Sequence, residues 1–260
     1  MNLNLNNKNA LVCGSTQGIG RATAIALAEE GVNVTLVARN RDKLKEVLAE
    51  LPDHRNHSYI VADFANPRDL QEQVINFIEK NHGFHILVNN TGGPNSGALL
   101  SASLEAFDKA FTMHVKCNQL LAQTTIPFMK EEGFGRIVNV ISTSVKEPIP
   151  NLGVSNTIRG AVGNWSKTLS IEVAEFGITV NNVLPGFTET ERLNEIITIK
   201  ANLEGKSIKE MTEIMKNYTP AKRFARPKET ANAITFLASE AASYINGINL
   251  PVDGGRTKSL

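Results

Sequence analysis

The chain has 260 residues, of which 42% are hydrophobic and 20% are charged, a composition typical of a globular domain with a large core. Its 27 basic and 26 acidic residues give a net charge of +1, which argues against a nucleic-acid or anionic-membrane partner. The amino-terminal residues lack the apolar segment of a signal peptide, and no apolar run is long enough to span a bilayer, so we expect a cytoplasmic protein.

Short β-branched runs alternate with longer amphipathic stretches along the whole chain. The predicted strands are residues 9–13, 32–37, 57–61, 84–88, 135–141, 178–183 and 246–251. The predicted helices are residues 18–30, 40–50, 67–81, 104–131, 155–176 and 227–238. Several strands are continuous apolar runs, as in parallel sheets covered on both faces. We therefore expect a single α/β domain over residues 1–260, with a Rossmann-like, doubly wound parallel sheet of about seven strands and helices on both faces.

Residues 189–217 differ from the rest of the pattern because they are charged, helical in composition and interrupted at residues 202–205. They lie between a strand and the next helix, on the carboxyl side of the predicted sheet. A segment in that position can close over a ligand, and we interpret it as a substrate lid. The alternative is a surface insertion with no role in the site.

A glycine-rich loop follows the first predicted strand and opens the first predicted helix. It reads Gly14-Ser15-Thr16-Gln17-Gly18-Ile19-Gly20. Glycines at such a turn let the backbone approach a pyrophosphate, which rests on the positive end of the helix. At the first strand-to-helix turn of an alternating chain, this loop predicts a dinucleotide-binding site.

The end of the second predicted strand indicates which dinucleotide is bound. An acidic residue there would hold the ribose 2′-hydroxyl of NAD, but the chain has Arg39 and no carboxylate until Asp42. The planar guanidinium of Arg39 suits a 2′-phosphate. The sequence therefore favours NADP (NADPH) over NAD, and the alternative for Arg39 is a solvated residue at a strand end.

These motifs resemble the short-chain dehydrogenase/reductase family, and within it the members similar to β-ketoacyl-carrier-protein reductase. The resemblance covers residues 8–256 and rests on the glycine loop, Asp63, Asn89–Gly92, Asn139–Ser142, Pro185–Thr190 and Val252–Gly255. It implies cofactor contacts from Gly14, Ser15, Thr16, Gln17, Gly18, Ile19, Gly20, Arg39, Asp63, Phe64, Asn90, Gly92, Arg159, Pro185, Gly186, Thr188 and Thr190.

The family's catalytic tetrad of asparagine, serine, tyrosine and lysine is changed at three positions. Ser142 is retained, but His114, Ser155 and Arg159 stand where the resemblance places asparagine, tyrosine and lysine. Ser155 is too short to reach a substrate held by Ser142 and is a poor acid. Arg159 keeps a positive charge that can hold the nicotinamide ribose, but it cannot release its proton. His114 or a water molecule is the expected proton donor, with Tyr218 as a further alternative.

The resemblance implies hydride transfer between NADP(H) and a ketone or secondary alcohol, in the manner of a 3-oxoacyl reductase. Two alternatives stay open: a catalytically silent member that binds nucleotide as a signal, and a lyase or isomerase on the same scaffold. Apolar residues in the expected pocket predict an apolar small-molecule substrate, and apolar helix faces predict a homodimer or homotetramer. The histidines and cysteines do not have metal-ligand spacing, so no metal site is expected.

Overall fold

Seven parallel strands form one sheet in the computed structural model, which describes residues 1–52 and 55–259. The strands are β1 (Asn9–Cys13), β2 (Asn33–Ala38), β3 (Ser58–Val61), β4 (Ile86–Asn89), β5 (Gly135–Val140), β6 (Ile178–Pro185) and β7 (Asn249–Val252). Their spatial order is β3-β2-β1-β4-β5-β6-β7. The order reverses between β1 and β4, which is where doubly wound folds place their ligands. The predicted fold is confirmed.

The helices are α1 (Gly18–Glu29), α2 (Arg41–Glu50), α3 (Pro67–Lys80), α4 (Leu104–Phe111), α5 (Cys117–Glu131), α6 (Gly153–Glu172), α7 (Glu191–Glu204), α8 (Ile208–Asn217) and α9 (Pro227–Leu237). The break at Gly205, which has φ = +62°, separates α7 from α8 inside the segment interpreted as a lid. Among the described helices, none is both long and apolar enough to cross a membrane.

The helix predicted over residues 104–131 is present, but it is not α-helical throughout. A single π-helical turn, Thr112–Lys116, separates α4 from α5. The apolar periodicity does not reveal such a turn, because the helix continues on the same axis while each hydrogen bond spans one more residue. The turn contains His114 and packs against α6.

The core lies in two layers, one on each face of the sheet. Side chains from successive residues of a strand enter opposite layers: Leu11 belongs to one apolar cluster and Val12 to the other. Both residues are fully buried. Cys13 and Cys117 are free, buried thiols in the same layer as Leu11. Because both faces of the sheet are covered, ligands have access only at its edges.

A row of asparagines crosses the carboxyl half of the sheet from β4 to β7. The Nδ2 atom of Asn89 donates to Oδ1 of Asn139 at 2.8 Å, and Nδ2 of Asn139 donates to Oδ1 of Asn182 at 2.9 Å. Asn182 continues the row to Asn249 at 2.8 Å. The backbone register pairs the same residues. These bonds link β4, β5, β6 and β7 side by side through their asparagine side chains.

Candidate functional site

A cleft of about 630 Å³ lies along the carboxyl edge of the sheet. Its wall is built by the loops that follow β1 to β6 and by residues of α6 and α7. The predicted site residues that line it are Gly14, Thr16, Gln17, Gly18, Ile19, Arg39, Asp63, Phe64, Asn90, Gly92, Ser142, Ser155, Arg159, Pro185, Gly186, Thr188 and Thr190. The fold therefore brings most of the predicted site residues into one cavity.

Three predicted site residues do not line the cleft. Ser15 is fully buried, and its hydroxyl accepts a hydrogen bond of 3.0 Å from the Val37 amide, which ties the glycine loop to β2. Gly20 lies against the backbone, where a β carbon would come within 2.1 Å of the Gly14 carbonyl oxygen. His114 is buried behind Arg159. These three residues pack beneath the lining of the cleft, so they would not contact a ligand bound in it.

The glycine loop leaves the amino terminus of α1 open. Gln17 at the cap position makes no side-chain hydrogen bond to the helix, and the first turn contains no acidic residue. Gly18 has φ = +55°, a conformation that side chains other than glycine rarely adopt. Free amide groups at a helix amino terminus bind anions. The loop thus has the arrangement required for a dinucleotide pyrophosphate.

Basic side chains face the cleft beyond β2. Arg39 and Lys43 line it together with Asp63 and Phe64, and neither cation forms an ion pair within the described chain. Lys43 was missed in the sequence, although its spacing from Arg39 and Arg41 puts three basic residues at the start of α2. Two unpaired cations beside the predicted ribose position fit a 2′-phosphate.

The loop after β4 is fastened to the glycine loop by Asn90. Its Nδ2 atom donates to the carbonyl oxygens of Cys13 and Gly14 at 3.3 and 3.2 Å. A β carbon on Gly14, which has φ = +57°, would come within 2.7 Å of the Asn90 carbonyl oxygen. The side chain of Asn90 therefore holds the two loops together, while the residue still contributes to the wall of the cleft.

The ends of β5 and α6 bring the retained serine and the changed tetrad positions to the cleft. The Oγ atom of Ser142 accepts a hydrogen bond of 3.1 Å from the Ser144 amide, so its own proton is free to point into the cleft. Ser155 is half-buried, and its hydroxyl has no hydrogen-bond partner in the described chain. At this end of the cleft, the Ser142 hydroxyl can donate a hydrogen bond to an oxygen atom of a ligand.

Arg159 lies one helical turn after Ser155, with 8% of its surface exposed. Its Nη1 atom donates to the Val140 carbonyl oxygen at 2.9 Å, and its Nε atom is buried without an acceptor. Burial lowers the pKa of Arg159 to about 10, so the guanidinium stays charged at neutral pH. The end of the cleft that is lined by Ser142, Ser155 and Arg159, where the sequence predicts the reaction, therefore carries a permanent positive charge.

His114 is 3% exposed and its Nε2 atom is buried without a partner in the described chain. Its pKa is lowered to about 2, first because burial opposes the charged imidazolium and second because the Arg159 charge lies nearby; a hydrogen bond with the Gly92 backbone acts in the opposite direction. The imidazole is neutral near pH 7 and cannot supply an acidic proton there. The structure thus argues against His114 as the donor.

Tyr218 is no better placed to donate a proton. It caps α8, is 54% exposed and does not line the cleft. By contrast, Met113, Ile141 and Leu152 line the cleft at its reaction end and make that end largely apolar. Met113 was missed because the expected helix gave no indication of the π-helical turn that carries it.

The segment interpreted as a lid has its own small core and is hydrogen-bonded to the loop after β4. Leu193, Ile197, Met211 and Met215 form a buried apolar cluster with Phe224. The Nη2 atom of Arg192, on α7, donates to the Pro94 carbonyl oxygen at 3.1 Å, which joins α7 to the loop after β4. Arg192 was missed in the sequence, because its partner is a backbone atom 98 positions away.

The fold and the cleft together are those of a doubly wound α/β protein, and comparison with known proteins identifies an oxidoreductase family. The family model described as Enoyl-(Acyl carrier protein) reductase matches residues 14–257. The chain belongs to the short-chain dehydrogenase/reductase family. It is 31% identical to the NADPH-dependent reductase BacG of Bacillus subtilis (strain 168), with 98% of this chain and 100% of the relative covered.

Other relatives give the same family. The 3-oxoacyl-[acyl-carrier-protein] reductase FabG of Rickettsia felis is 33% identical, with 97% of this chain and 98% of the relative covered. Among solved structures, L-sorbose reductase from Gluconobacter frateurii, complexed with NADPH and L-sorbose, superposes with a TM-score of 0.94 at 31% identity, and both chains are fully covered. YwfH, described as an NADPH-dependent reductase involved in bacilysin biosynthesis, has a TM-score of 0.90 at 30% identity, with 98% and 100% covered.

Proposed function

We propose that this protein is an NADP-dependent reductase that transfers hydride between NADP(H) and a ketone or secondary alcohol. The observation that carries the proposal is that one cleft contains both an uncapped helix amino terminus with unpaired cations and the hydroxyl of Ser142. The relatives named as NADPH-dependent, and the neighbour complexed with NADPH, support the choice of nucleotide.

The residues that would hold NADP(H) are distributed along the cleft. The amides at the start of α1 would hold the pyrophosphate, Arg39 and Lys43 the 2′-phosphate, and Asp63 the adenine. Pro185, Gly186, Thr188 and Thr190 would enclose the nicotinamide, and Arg159 would hold its ribose. When bound, the reduced nicotinamide supplies the hydride.

At the reaction end, Ser142 would donate a hydrogen bond to the substrate oxygen. This hydrogen bond would strengthen as negative charge develops on the oxygen while hydride adds to the carbonyl carbon. Because Ser155 is short, the position usually filled by a tyrosine ring has room for water, and a water proton would complete the alcohol. Loss of a positioned acid typically slows such a step by about 10²–10⁴-fold, so we expect a slow reductase.

The apolar lining, together with the relative named as a 3-oxoacyl-[acyl-carrier-protein] reductase, supports an apolar ketone such as a 3-oxoacyl compound as the substrate. Met113, Leu152 and Ile196 line this end of the cleft, and Arg192 joins α7 to Pro94 above it. We propose that residues 189–217 act as a lid that separates this end of the cleft from bulk solvent. The exposed apolar residues Leu104 and Ile171 on α4 and α6 support a homodimer or homotetramer.

The direct test measures NADPH oxidation by absorbance with a panel of apolar ketones and 3-oxoacyl thioesters. We expect turnover with the wild-type protein and a loss of about 10²-fold in kcat/KM for Ser142→Ala, because a donor to the developing oxyanion is removed. Ser243→Ala is the matched control, because Ser243 is exposed and outside the cleft. Calorimetry should show that both variants bind NADPH as the wild type does.

Two results would contradict the proposal. Nucleotide binding without oxidation of NADPH by any ketone would indicate a silent, nucleotide-sensing member. Conversion of a substrate with no net change in NADPH absorbance would indicate a lyase or isomerase.

A further inference from the structure

Arg159 is a buried cation with no counter-charge in residues 1–52 and 55–259. It forms no ion pair there, and the one hydrogen bond that its side chain makes ends on the neutral carbonyl of Val140. Its Nε atom has no acceptor. Buried charges in proteins are normally paired, because removing an ion from water is costly. The missing negative charge must therefore come from outside the described chain.

The charge cannot be relieved by loss of a proton. The pKa of Arg159 is lowered by burial to about 10, with no carboxylate raising it again, and the guanidinium is protonated throughout the neutral range. The one carboxylate among the residues that line the cleft is Asp63, which follows β3. Four strand spacings separate β3 from β5, or roughly 19 Å at the usual spacing of neighbouring strands.

Nη2 is the part of the guanidinium that is available to a ligand, because Nε is enclosed and Nη1 is bonded to the Val140 carbonyl oxygen. Arg159 lines the cleft together with Ser142 and Ser155, and a β carbon placed on Gly93 would lie 3.6 Å from Nη2. Nη2 has no hydrogen-bond partner in the described chain. The other cation near this end, Arg192, is already engaged by Glu195 and by the Pro94 carbonyl. Among the described residues that line the cleft, Arg159 is therefore the free cation beside Ser142.

The nucleotide is not the source of the missing anion. Its phosphates fit the open end of α1 after β1 and the cations after β2, whereas Arg159 is fastened to the end of β5. Two strand spacings, roughly 10 Å, separate β1 from β5. A ribose could offer hydroxyl groups to Arg159, but these are neutral and would leave the charge unpaired. The remaining source is the substrate.

We infer that the substrate is an oxo acid whose carboxylate pairs with Arg159 while its carbonyl oxygen meets Ser142. A guanidinium suits a carboxylate, and Nη2, which has no partner in the described chain, is the atom that would donate to it. This inference rests on the proposed reductase function and adds the class of substrate to it. The carboxylate is unchanged in the reaction: hydride adds to the carbonyl carbon and a water proton to its oxygen.

Binding can be tested without turnover, using hexanoate and hexanamide, which share an apolar tail and differ in charge. In the presence of NADP, calorimetry should show that hexanoate binds about 10- to 100-fold more tightly than hexanamide. Arg159→Met should abolish this preference, and Arg159→Lys should keep part of it. Arg68→Met is the matched control, because Arg68 is exposed on α3 and outside the cleft. Its preference should equal that of the wild type.

Arg159→Met removes an unpaired buried charge, so its thermal midpoint should not fall. If Arg159→Met does not fold, the test uses Arg159→Lys, which should prefer hexanoate over hexanamide by a smaller factor than the wild type does. Equal binding of hexanoate and hexanamide to the wild-type protein, or an unchanged preference in Arg159→Lys, would overturn the inference.

Turnover separates this inference from the proposed function. The two substrates to compare are 3-oxohexanoate and its methyl ester. Both present the same ketone for reduction, but only the acid has a charged carboxylate. We expect the acid to have the higher kcat/KM, by at least about tenfold, and the preference to depend on Arg159. If the ester is reduced as well as the acid, the carboxylate site is wrong and the reductase stands. If neither is reduced while hexanoate binding depends on Arg159, the anion site stands and the reductase is wrong.

Discussion

Arg159 Nη1 donates a 2.9 Å hydrogen bond to the carbonyl oxygen of Val140, so the guanidinium of α6 is held at the carboxyl end of β5. This bond fixes the charge beside Ser155, one helical turn away. A lysine at the same position would carry its charge on a flexible stem, whereas the arginine shares its planar group between the backbone and the cleft. This end of the cleft thus combines a fixed cation, Arg159, with a short side chain, Ser155.

Restoring the usual pair of side chains should accelerate the reduction of neutral ketones. The double variant Ser155→Tyr/Arg159→Lys places a phenol in the cleft beside an ammonium, and we expect kcat to rise by about 10²–10⁴-fold because a positioned acid replaces water. The measurement is NADPH oxidation at saturating ketone. Ser155→Phe/Arg159→Lys fills the same space without a hydroxyl and should show no gain. A gain that is equal in both variants would show that the effect arises from filling the cavity.

His114 should make the protein less stable in mild acid. The folded-state pKa is about 2, well below the usual 6.5, so between these values the unfolded chain binds a proton that the folded chain does not. Stability is therefore full above about pH 6.5 and falls as the pH decreases below it. From pH 7 to pH 5 the loss is about 2 kcal/mol.

The measurement is urea unfolding of the wild type and of His114→Gln at both pH values. The variant should lose less stability on acidification than the wild type. A residual loss is expected from His85, whose pKa is also lowered, first by burial and then by the Lys8 charge. An identical pH dependence in the two proteins would contradict the burial of a neutral imidazole at position 114.

Arg39 should determine the preference for the phosphorylated nucleotide. Arg39→Met removes a cation that faces the cleft beyond β2, and we expect the dissociation constant for NADPH to rise by about 10- to 100-fold while that for NADH changes little. Titration calorimetry with both nucleotides measures this difference. Lys43→Met should also raise the dissociation constant for NADPH, but by a smaller factor, because an ammonium group makes only single contacts with a phosphate. Parallel losses for both nucleotides would place Arg39 against the adenine or pyrophosphate instead.

Arg192 should act on substrate retention through its contact with Pro94. Arg192→Met breaks the hydrogen bond that joins α7 to the loop after β4, and we expect KM for the ketone to rise by about 3- to 10-fold. Steady-state kinetics measure this change, and limited proteolysis between residues 189 and 217 should become faster. Lys209→Met, at an exposed position on α8, is the control and should change neither quantity. Unchanged KM and proteolysis would make the segment a surface insertion.

The sequence by itself determined the order of the strands and helices, and it predicted a nucleotide site. The glycine loop and Arg39 could be recognised because backbone approach to a phosphate restricts residue types over a few neighbouring positions. The helix predicted to begin at residue 67 does begin there, where the Asn66 side chain accepts from the Asp69 amide. These signals are local, so the linear pattern contains them.

Only the tertiary structure decided the burial, the charge and the hydrogen-bond partners of the residues at the changed tetrad positions. The pattern presented His114 as a titratable group suited to acid catalysis, but a π-helical turn buries it behind Arg159, and burial keeps it neutral. The unpaired charge of Arg159 and the contact from Arg192 to Pro94 were also absent from the pattern. Burial and missing partners depend on residues far apart in the chain, and a one-dimensional pattern does not specify which of them meet.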